Sequence, residues 1–161
     1  MELAVVNYAN RNCSDFGTQI LDRAMRFAYD MELDGDPEIL WHTITQEMVK
    51  QNPEMLILAA VDGGKVYGHM ICRIVNDDGC LIGLVTQLAI DEEQREGREE
   101  TIMKGMEVVY AFSRSRGATR VRCWAMNEKL AILFTKFGLK PKDYVLMDIA
   151  LEAQDGEKES D

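Results

Sequence analysis

The chain has 161 residues and a mass of 18.3 kDa, which corresponds to about one domain. Hydrophobic residues make up 47% of the sequence, so a mostly disordered chain is excluded. The formal net charge of −10 argues against nucleic acid and against an anionic membrane surface as direct partners, because both repel an acidic protein. No apolar run is long enough to span a membrane and residues 1–12 do not resemble a signal peptide, so we expect a cytoplasmic protein.

The N-terminal part of the chain is predicted to form a strand and two helices. Apolar residues alternate over Glu2–Tyr8, as in a short strand. Ser14 or Asp15 is suited to cap a helix that runs to about Leu33, in which apolar residues recur every three or four positions. The pair Asp36-Pro37 starts a second helix, because aspartate is a good N-cap and proline fits the first helical position.

Three consecutive strands are predicted in the centre of the chain. Runs rich in apolar residues cover 55–61, 65–75 and 80–91. The two segments between them, 62–64 and 76–79, have the aspartate, asparagine and glycine content of tight hairpin turns. The three strands therefore form an antiparallel meander.

A crossover helix follows the meander. Apolar residues over 102–113 recur on one helical face, and Gly117 is suited to the position just after the helix. The strand predicted over 119–125 is separated from strand 80–91 by this helix, so we expect the two strands to be parallel. The fold class is therefore α/β, with a mixed central sheet that contains an antiparallel meander and is flanked by helices.

The C-terminal part is predicted to form one more helix, one more strand and a tail. Asn127 is suited to cap a helix that ends at Gly138. A strand is predicted over 140–151. Residues 152–161 are strongly acidic and contain few apolar side chains, so we expect a flexible tail.

The four cysteines do not indicate a metal site or a disulfide framework, since none of them is in a C-x-x-C spacing. We expect reduced thiols that fill space in the interior. They are Cys13, Cys72, Cys80 and Cys123.

Three segments carry a resemblance to a known family. They are Gln87–Asp91 at the end of the meander, Gln94–Arg98 before the crossover helix, and Asn127–Leu139 on the last helix. Together with the order of the elements, they resemble the GCN5-related N-acetyltransferase (GNAT) family. The resemblance covers residues 1–151 and implies a single GNAT-like domain, followed by the acidic tail 152–161. It implies acetyl-CoA as the cofactor and no metal.

The resemblance also assigns a cofactor site. In the family, backbone N–H groups of the central strand polarise the thioester carbonyl. A glycine-containing loop and the helix after it hold the pyrophosphate through backbone N–H groups and the helix dipole. The residues that the resemblance places in these roles are Leu88, Ala89, Ile90, Gln94, Arg95, Gly97, Arg98 and Asn127.

The cofactor loop departs from the family pattern at one position. Gly97 matches the first glycine, whereas Glu99 stands where glycine or alanine is expected. Residues 91–100 include six acidic and two basic residues, a net charge of −4, which opposes binding of a diphosphate. One interpretation is that the acidic residues only stabilise the N-terminus of the helix. The other is that Arg95 and Arg98 reach the phosphate oxygens.

The catalytic residues are a second departure. In many family members a tyrosine on the last helix protonates the leaving thiolate, and the matching position, seven residues after Asn127, is Phe134, which has no proton to donate. The candidates for a general base are His69 on the second meander strand and Glu107 on the crossover helix. For His69 the alternative is a strand residue with ordinary hydrogen bonds.

Four arginines form a basic cluster: Arg114, Arg116, Arg120 and Arg122. Such a cluster can bind an acidic partner or the 3′-phosphate of coenzyme A. It can also simply neutralise the acidic surface of this protein.

The sequence leaves two classes of function open. The first is an acetyl-CoA-dependent N-acetyltransferase whose acceptor is an amine on a small molecule or a protein, with a cationic amine suited to the acidic chain. The second is a non-catalytic GNAT-like protein. It would be either a structural or protein-interaction subunit, including one of a viral particle and so a virion component, or a CoA-binding sensor without turnover. A protein partner or a homodimer is compatible with both classes.

Overall fold

The protein alternates strands and helices around one mixed sheet. The computed structural model describes residues 1–7, 9, 13–31, 35–91 and 97–142. In chain order the elements are β1 (Glu2–Val5), α1 (Cys13–Asp30), α2 (Pro37–Val49), β2 (Met55–Asp62), β3 (Lys65–Asp77), β4 (Cys80–Ile90), α3 (Arg98–Ser115), β5 (Arg120–Cys123) and α4 (Glu128–Lys136).

The sheet has the strand order β1-β2-β3-β4-β5. Neighbours are antiparallel from β1 to β4, and β5 runs parallel to β4. The tight turns between β2, β3 and β4 contain glycines with positive φ, namely Gly63, Gly64 and Gly79. The predictions of an α/β fold, an antiparallel meander and a parallel crossover are confirmed.

A hydrophobic core lies on each face of the sheet, because successive side chains of a strand point to opposite faces. On β2, Ile57 and Ala59 pack with α1 and α2, whereas Leu56 and Leu58 pack with α3 and α4. The large buried side chains that the helices contribute are Ile20, Ile44, Met48, Ile102, Met106, Val109, Leu133 and Phe134. The sheet is therefore covered on both sides, which explains why β2 is apolar along most of its length.

Two predicted helix caps are present. The side chain of Asp36 accepts a hydrogen bond from the Glu38 N–H at 2.8 Å, and Pro37 is the first residue of α2. The side chain of Asn127 accepts a hydrogen bond from the Leu130 N–H at 2.9 Å at the start of α4. These two starts are local events, which is why the sequence alone predicts them.

Two predicted boundaries were wrong. Helix α1 begins at Cys13, so Ser14 and Asp15 lie in its first turn and do not cap it. Cys13 packs against the core formed with α2, and this contact extends the helix beyond the polar pair. Strand β1 ends at Val5, although the Val6 N–H still donates to the Ile57 carbonyl at 2.9 Å.

The predicted strand 140–151 and the predicted tail 152–161 fall largely on residues 143–161, which lie outside the described residues. The boundary at residue 151 therefore stays a prediction.

Strand β4 and helix α3 approach each other closely at one glycine. A Cβ atom on Gly83 would lie 2.0 Å from the Oγ and 2.9 Å from the Cβ of Ser113, which is itself buried. Only glycine at this position lets the helix come this near to the strand. The contact sets the distance between β4 and α3, the two elements that form the candidate site.

Candidate functional site

Strand β4 carries a bulge in its middle. Ile71 of β3 pairs with Gln87, whereas the next residue, Cys72, pairs with Val85, so that Thr86 is an extra residue on β4. Val85 and Leu88 pack with the core under α3, while the side chain of Gln87 bonds to α1. The bulge thus shifts which side chains of β4 face each side of the sheet.

Beyond the bulge, β4 and β5 separate. β5 pairs with β4 only over Ile82–Val85. Among the described residues, no strand lies beside Thr86–Ile90 on the side away from β3. The Asp91 N–H donates to the Tyr67 carbonyl of β3 at 2.9 Å. Because N–H groups alternate in direction along a strand, those of Leu88 and Ile90 point away from β3, to this open edge.

The first turns of α3 lie over the face of the sheet at the end of β4. Leu88 and Ile90 line a small cavity of about 10 Å³ together with residues of the first turns of α3, among them Thr101, Ile102 and Gly105. The helix begins after Gly97, which has a φ of 75° and provides no side-chain cap. Among the described residues, no side chain caps the first N–H groups of α3, and such groups attract anions.

The acidic residues of the first turn of α3 have cationic neighbours. Glu100 pairs with Lys104 at 2.7 Å, and this bond lowers the pKa of Glu100 and raises that of Lys104. Glu99, at the position where the family pattern has a small residue, is exposed and lies 3.8 Å from Lys136 of α4. The repulsion that these carboxylates exert on an anion is therefore partly offset.

The predicted cofactor residues are distributed as follows. Leu88, Ala89 and Ile90 lie on the open edge of β4, and Gly97 and Arg98 start α3. The carboxamide oxygen of Asn127 caps α4. The other two, Gln94 and Arg95, lie outside the described residues.

His69 is buried between β3 and α1. Its Nε2 is 2.9 Å from the side-chain oxygen of Gln87, and its ring contacts the Phe27 ring edge-on at 5.9 Å between centroids. Burial lowers the pKa of His69 from 6.5 to about 4, so the imidazole is neutral at pH 7. A base with this pKa is too weak to take a proton efficiently from an ammonium group.

The second candidate base, Glu107, and Phe134, at the position of the family tyrosine, lie elsewhere. Glu107 is on the exposed face of α3, opposite Met106 and Val109, which are buried. Phe134 is 4% exposed and packs in the core under α3 and α4. The structure does not bring these two residues to His69, which lies beneath α1.

Sequence reasoning did not single out Arg23. Its guanidinium donates to both carboxylate oxygens of Asp91, at 2.7 and 3.1 Å, and also to the carbonyls of Tyr67 at 2.9 Å and Val66 at 3.3 Å. The hydrogen bonds from Arg23 to the Asp91 carboxylate lower the pKa of Asp91. The two residues are 68 positions apart, and no local pattern signals a contact over that separation.

A second, larger cavity of about 1060 Å³ lies between α3, β5 and α4. None of the described residues that line it is acidic, and five are basic: Arg114, Arg120, Arg122, Lys140 and Lys142. Arg122 is paired with Asp77 at 2.9 Å, and Arg116, outside the cavity, bonds to Asn52. Part of the basic cluster is thus engaged with this protein's own polar side chains.

The described part of the chain shows no group of three or more histidine, cysteine or acidic side chains arranged to hold a metal ion. The four cysteines are free thiols. Burial raises the pKa of Cys72 to about 11 and that of Cys123 to about 12, so both thiols are protonated at pH 7. Within the same residues, no helix combines the length and the apolar character needed to cross a bilayer.

Comparison with known proteins gives a result at the level of structure alone. No protein-family model matches the chain, and no curated protein matches it. A predicted acetyltransferase from Clostridium acetobutylicum, solved with acetyl-CoA, superposes with a TM-score of 0.69 at 10% identity over 92% of this chain and 95% of that one.

Two further solved structures are similar over nearly their whole length. An aminoglycoside acetyltransferase from an uncultured soil metagenomic sample, in complex with trehalose, has a TM-score of 0.62 at 16% identity over 94% of this chain and 96% of its own. A ribosomal-protein-alanine N-acetyltransferase from Brucella melitensis has a TM-score of 0.59 at 16% identity. The match covers 94% of this chain and 100% of that one.

Proposed function

We propose that this chain, which has the fold of the GNAT-type acetyltransferases, binds acetyl-CoA and transfers its acetyl group to an amine. The observation that carries the proposal is that the open edge of β4 and the first turns of α3 lie at the same end of the sheet. The fold alone does not establish an activity, so the proposal depends on this site.

The residues present fit the cofactor. The N–H groups of Leu88 and Ile90 are donors for the carbonyls of an extended ligand that lies along the edge. The N–H groups at the start of α3 suit a diphosphate, and no atom of the described residues would lie within 4 Å of a Cβ on Gly97, which leaves the backbone there accessible from the described part of the protein. When bound, acetyl-CoA supplies the acetyl group as a reactive thioester.

In this proposal the protein positions the amine and the thioester and polarises the thioester carbonyl. Thr86 and Gln87, next to the open edge, do not titrate, and Phe134 has no proton to donate. We infer that a neutral amine would attack the thioester carbonyl directly, with the backbone N–H groups of β4 placed to stabilise the negative charge that develops on its oxygen. As the C–N bond forms, the C–S bond would break. Solvent would take the amine proton, and coenzyme A would leave as the thiolate and take up a proton from solvent. Two of the similar structures are described as aminoglycoside acetyltransferases, and the net charge of −10 also favours a cationic acceptor.

The second candidate function is a CoA-binding protein without turnover. Phe134 favours it, because the position that carries the proton donor in many GNAT enzymes is a buried apolar residue in this chain. Such a protein would bind the cofactor through the same edge and helix terminus.

The first test measures cofactor binding and the resulting stabilisation. Acetyl-CoA at ~100 times its dissociation constant should stabilise the protein by ~2.7 kcal/mol. This corresponds to a rise in melting temperature of roughly 5 to 10 °C for a domain of this size. Absence of binding in calorimetry would overturn the proposed function.

A matched pair of variants locates the binding site. Gly97 and Gly117 lie at the two ends of α3, and both have a positive φ, 75° and 78°. Alanine is strained at either position by ~1 kcal/mol, but only Gly97→Ala places a methyl group at the proposed site. We expect about tenfold weaker binding of acetyl-CoA for Gly97→Ala and no change for Gly117→Ala.

The second test measures turnover. Release of free thiol from acetyl-CoA should follow the addition of a polyamine, an aminoglycoside or a peptide that begins with alanine. Binding without thiol release from any of these acceptors would favour the non-catalytic candidate.

A further inference from the structure

Two polar contacts connect helix α1 to the end of β4, one on either side of Leu88–Ile90. Gln87 precedes Leu88–Ile90, and its side-chain nitrogen donates to the Ala24 carbonyl at 3.4 Å. Asp91 follows the same three residues and accepts two hydrogen bonds from Arg23. Consecutive residues of α1 thus hold both ends of the β4 segment whose N–H groups we assign to the cofactor.

The contact at Asp91 is the stronger of the two. The bidentate geometry of arginine and carboxylate gives two charge-assisted hydrogen bonds with a fixed direction. The Arg23 side chain is 18% exposed and that of Asp91 is 39% exposed, so water only partly screens the pair. Arg23 also bonds to the carbonyls of Val66 and Tyr67, and therefore fixes the end of β4 relative to the start of β3 as well.

Strand β4 needs this support at the place where it occurs. Over Ile82–Val85, β4 has a paired strand on each side, whereas after the bulge only β3 remains among the described residues. Helix α1 does not itself depend on the ion pair, because Ile20 and Ala24 are fully buried against the sheet. Loss of the pair should thus loosen the end of β4 without detaching α1.

We propose that Arg23 is a positioning residue for coenzyme A binding. It does not touch the ligand, and through Asp91 it holds the N–H groups of Leu88 and Ile90 in the arrangement that the ligand requires. A site that is ordered before binding loses less conformational entropy when the ligand binds, and this raises affinity. The proposal rests on the proposed function, since it assumes that coenzyme A lies along this edge.

The test uses four variants of the full chain: Asp91→Asn, Arg23→Lys, Arg23→Met and the double variant Arg23→Met/Asp91→Asn. For each we would measure the dissociation constant of CoA by calorimetry and the melting temperature without ligand. We expect about tenfold weaker binding for Arg23→Met and for Asp91→Asn. The loss should be smaller for Arg23→Lys, because lysine keeps the positive charge but cannot form the bidentate hydrogen bonds. The double variant should bind no more weakly than Arg23→Met, because both changes break one contact.

Asp77→Asn is the matched control. Asp77 lies at the other end of β3 and, like Asp91, pairs with an arginine of another element, Arg122 of β5. This variant should show a similar small decrease in melting temperature and unchanged affinity for CoA. If the loss of any ion pair at the end of a strand weakened binding, Asp77→Asn and Asp91→Asn would lower the affinity for CoA equally.

The outcomes separate the two proposals. If the unaltered protein does not bind CoA, the proposed function and this inference both fail. If it binds CoA and the folded Asp91→Asn and Arg23→Met variants bind it equally well, only the role of Arg23 is overturned. Equal weakening by Asp77→Asn would overturn it too. Should Arg23→Met fail to fold, the milder variants Asp91→Asn and Arg23→Lys decide the question.

Discussion

The two halves of strand β4 differ in their strand pairing, although they belong to one continuous strand. In the first half, residues Ile82–Val85 pair with both β3 and β5 and include Gly83, which makes the close contact with α3. Residues Thr86–Ile90 follow the bulge, pair with β3 and have an open backbone edge within the described structure. The first half stabilises the fold, whereas the second half has exposed backbone N–H groups that we propose bind the cofactor. A bulge of one residue is enough to separate the two roles.

The largest effect on stability is expected at Gly83, in the paired half. Gly83→Ala would place a methyl group against Ser113 and should lower the free energy of unfolding by about 3 kcal/mol. Urea denaturation measures this loss. The double variant Gly83→Ala/Ser113→Gly removes both clashing atoms and should recover part of it. An unchanged midpoint for Gly83→Ala would contradict the close approach of β4 and α3.

The next effect is a dependence of stability on pH that originates from His69, next to the open half. The pKa of His69 is about 4 in the folded protein and about 6.5 when unfolded. Between these values the unfolded chain binds a proton that the folded protein does not, so stability is highest above pH 6.5 and decreases toward pH 4. The loss amounts to about 3 kcal/mol at most.

Denaturation curves at several pH values between 7 and 4.5 would test this dependence. The His69→Gln variant is the control, since it carries no titrating group at this position. An equally steep dependence in the variant would assign the effect to other groups.

A smaller difference in stability is expected between alanine variants at two apolar positions on the same face of the sheet. Val85 of the paired half is 4% exposed, whereas Leu88 of the open half is half-buried. We expect Val85→Ala to destabilise the protein by about 2 kcal/mol and Leu88→Ala by about 1 kcal/mol, although leucine loses more atoms. Chemical denaturation compares the two variants directly, and the reverse order would show that the open half is as tightly packed as the paired half.

The smallest effect is expected at Glu99, in the first turn of α3. Glu99→Gln removes an exposed negative charge close to the proposed diphosphate position and should strengthen CoA binding about twofold to threefold at low salt. Glu38→Gln is the control, because Glu38 occupies the equivalent first turn of α2. Calorimetry at two salt concentrations would sharpen the result, and a gain that persists unchanged at high salt would contradict an electrostatic cause.

Local signals account for the parts of the fold that the sequence predicts. The caps at Asp36 and Asn127 depend on residues two or three positions apart, and the hairpin turns depend on glycines such as Gly63 and Gly79. Apolar periodicity located the strands and helices, and the crossover rule predicted that β5 is parallel to β4. The resemblance to GNAT proteins added the assignment of Leu88–Ile90 and Gly97 to a cofactor site, which stays a prediction.

Other features depend on tertiary structure. The composition around Thr86 does not reveal the bulge, because it arises from the register between two strands. The ion pair between Arg23 and Asp91 joins positions that are distant in sequence, and the low pKa of His69 results from burial beneath α1. Short-range patterns in the sequence thus determined the elements and their order. Only long-range packing decided where β4 opens and which side chains hold its end, because these depend on contacts between residues far apart in the chain.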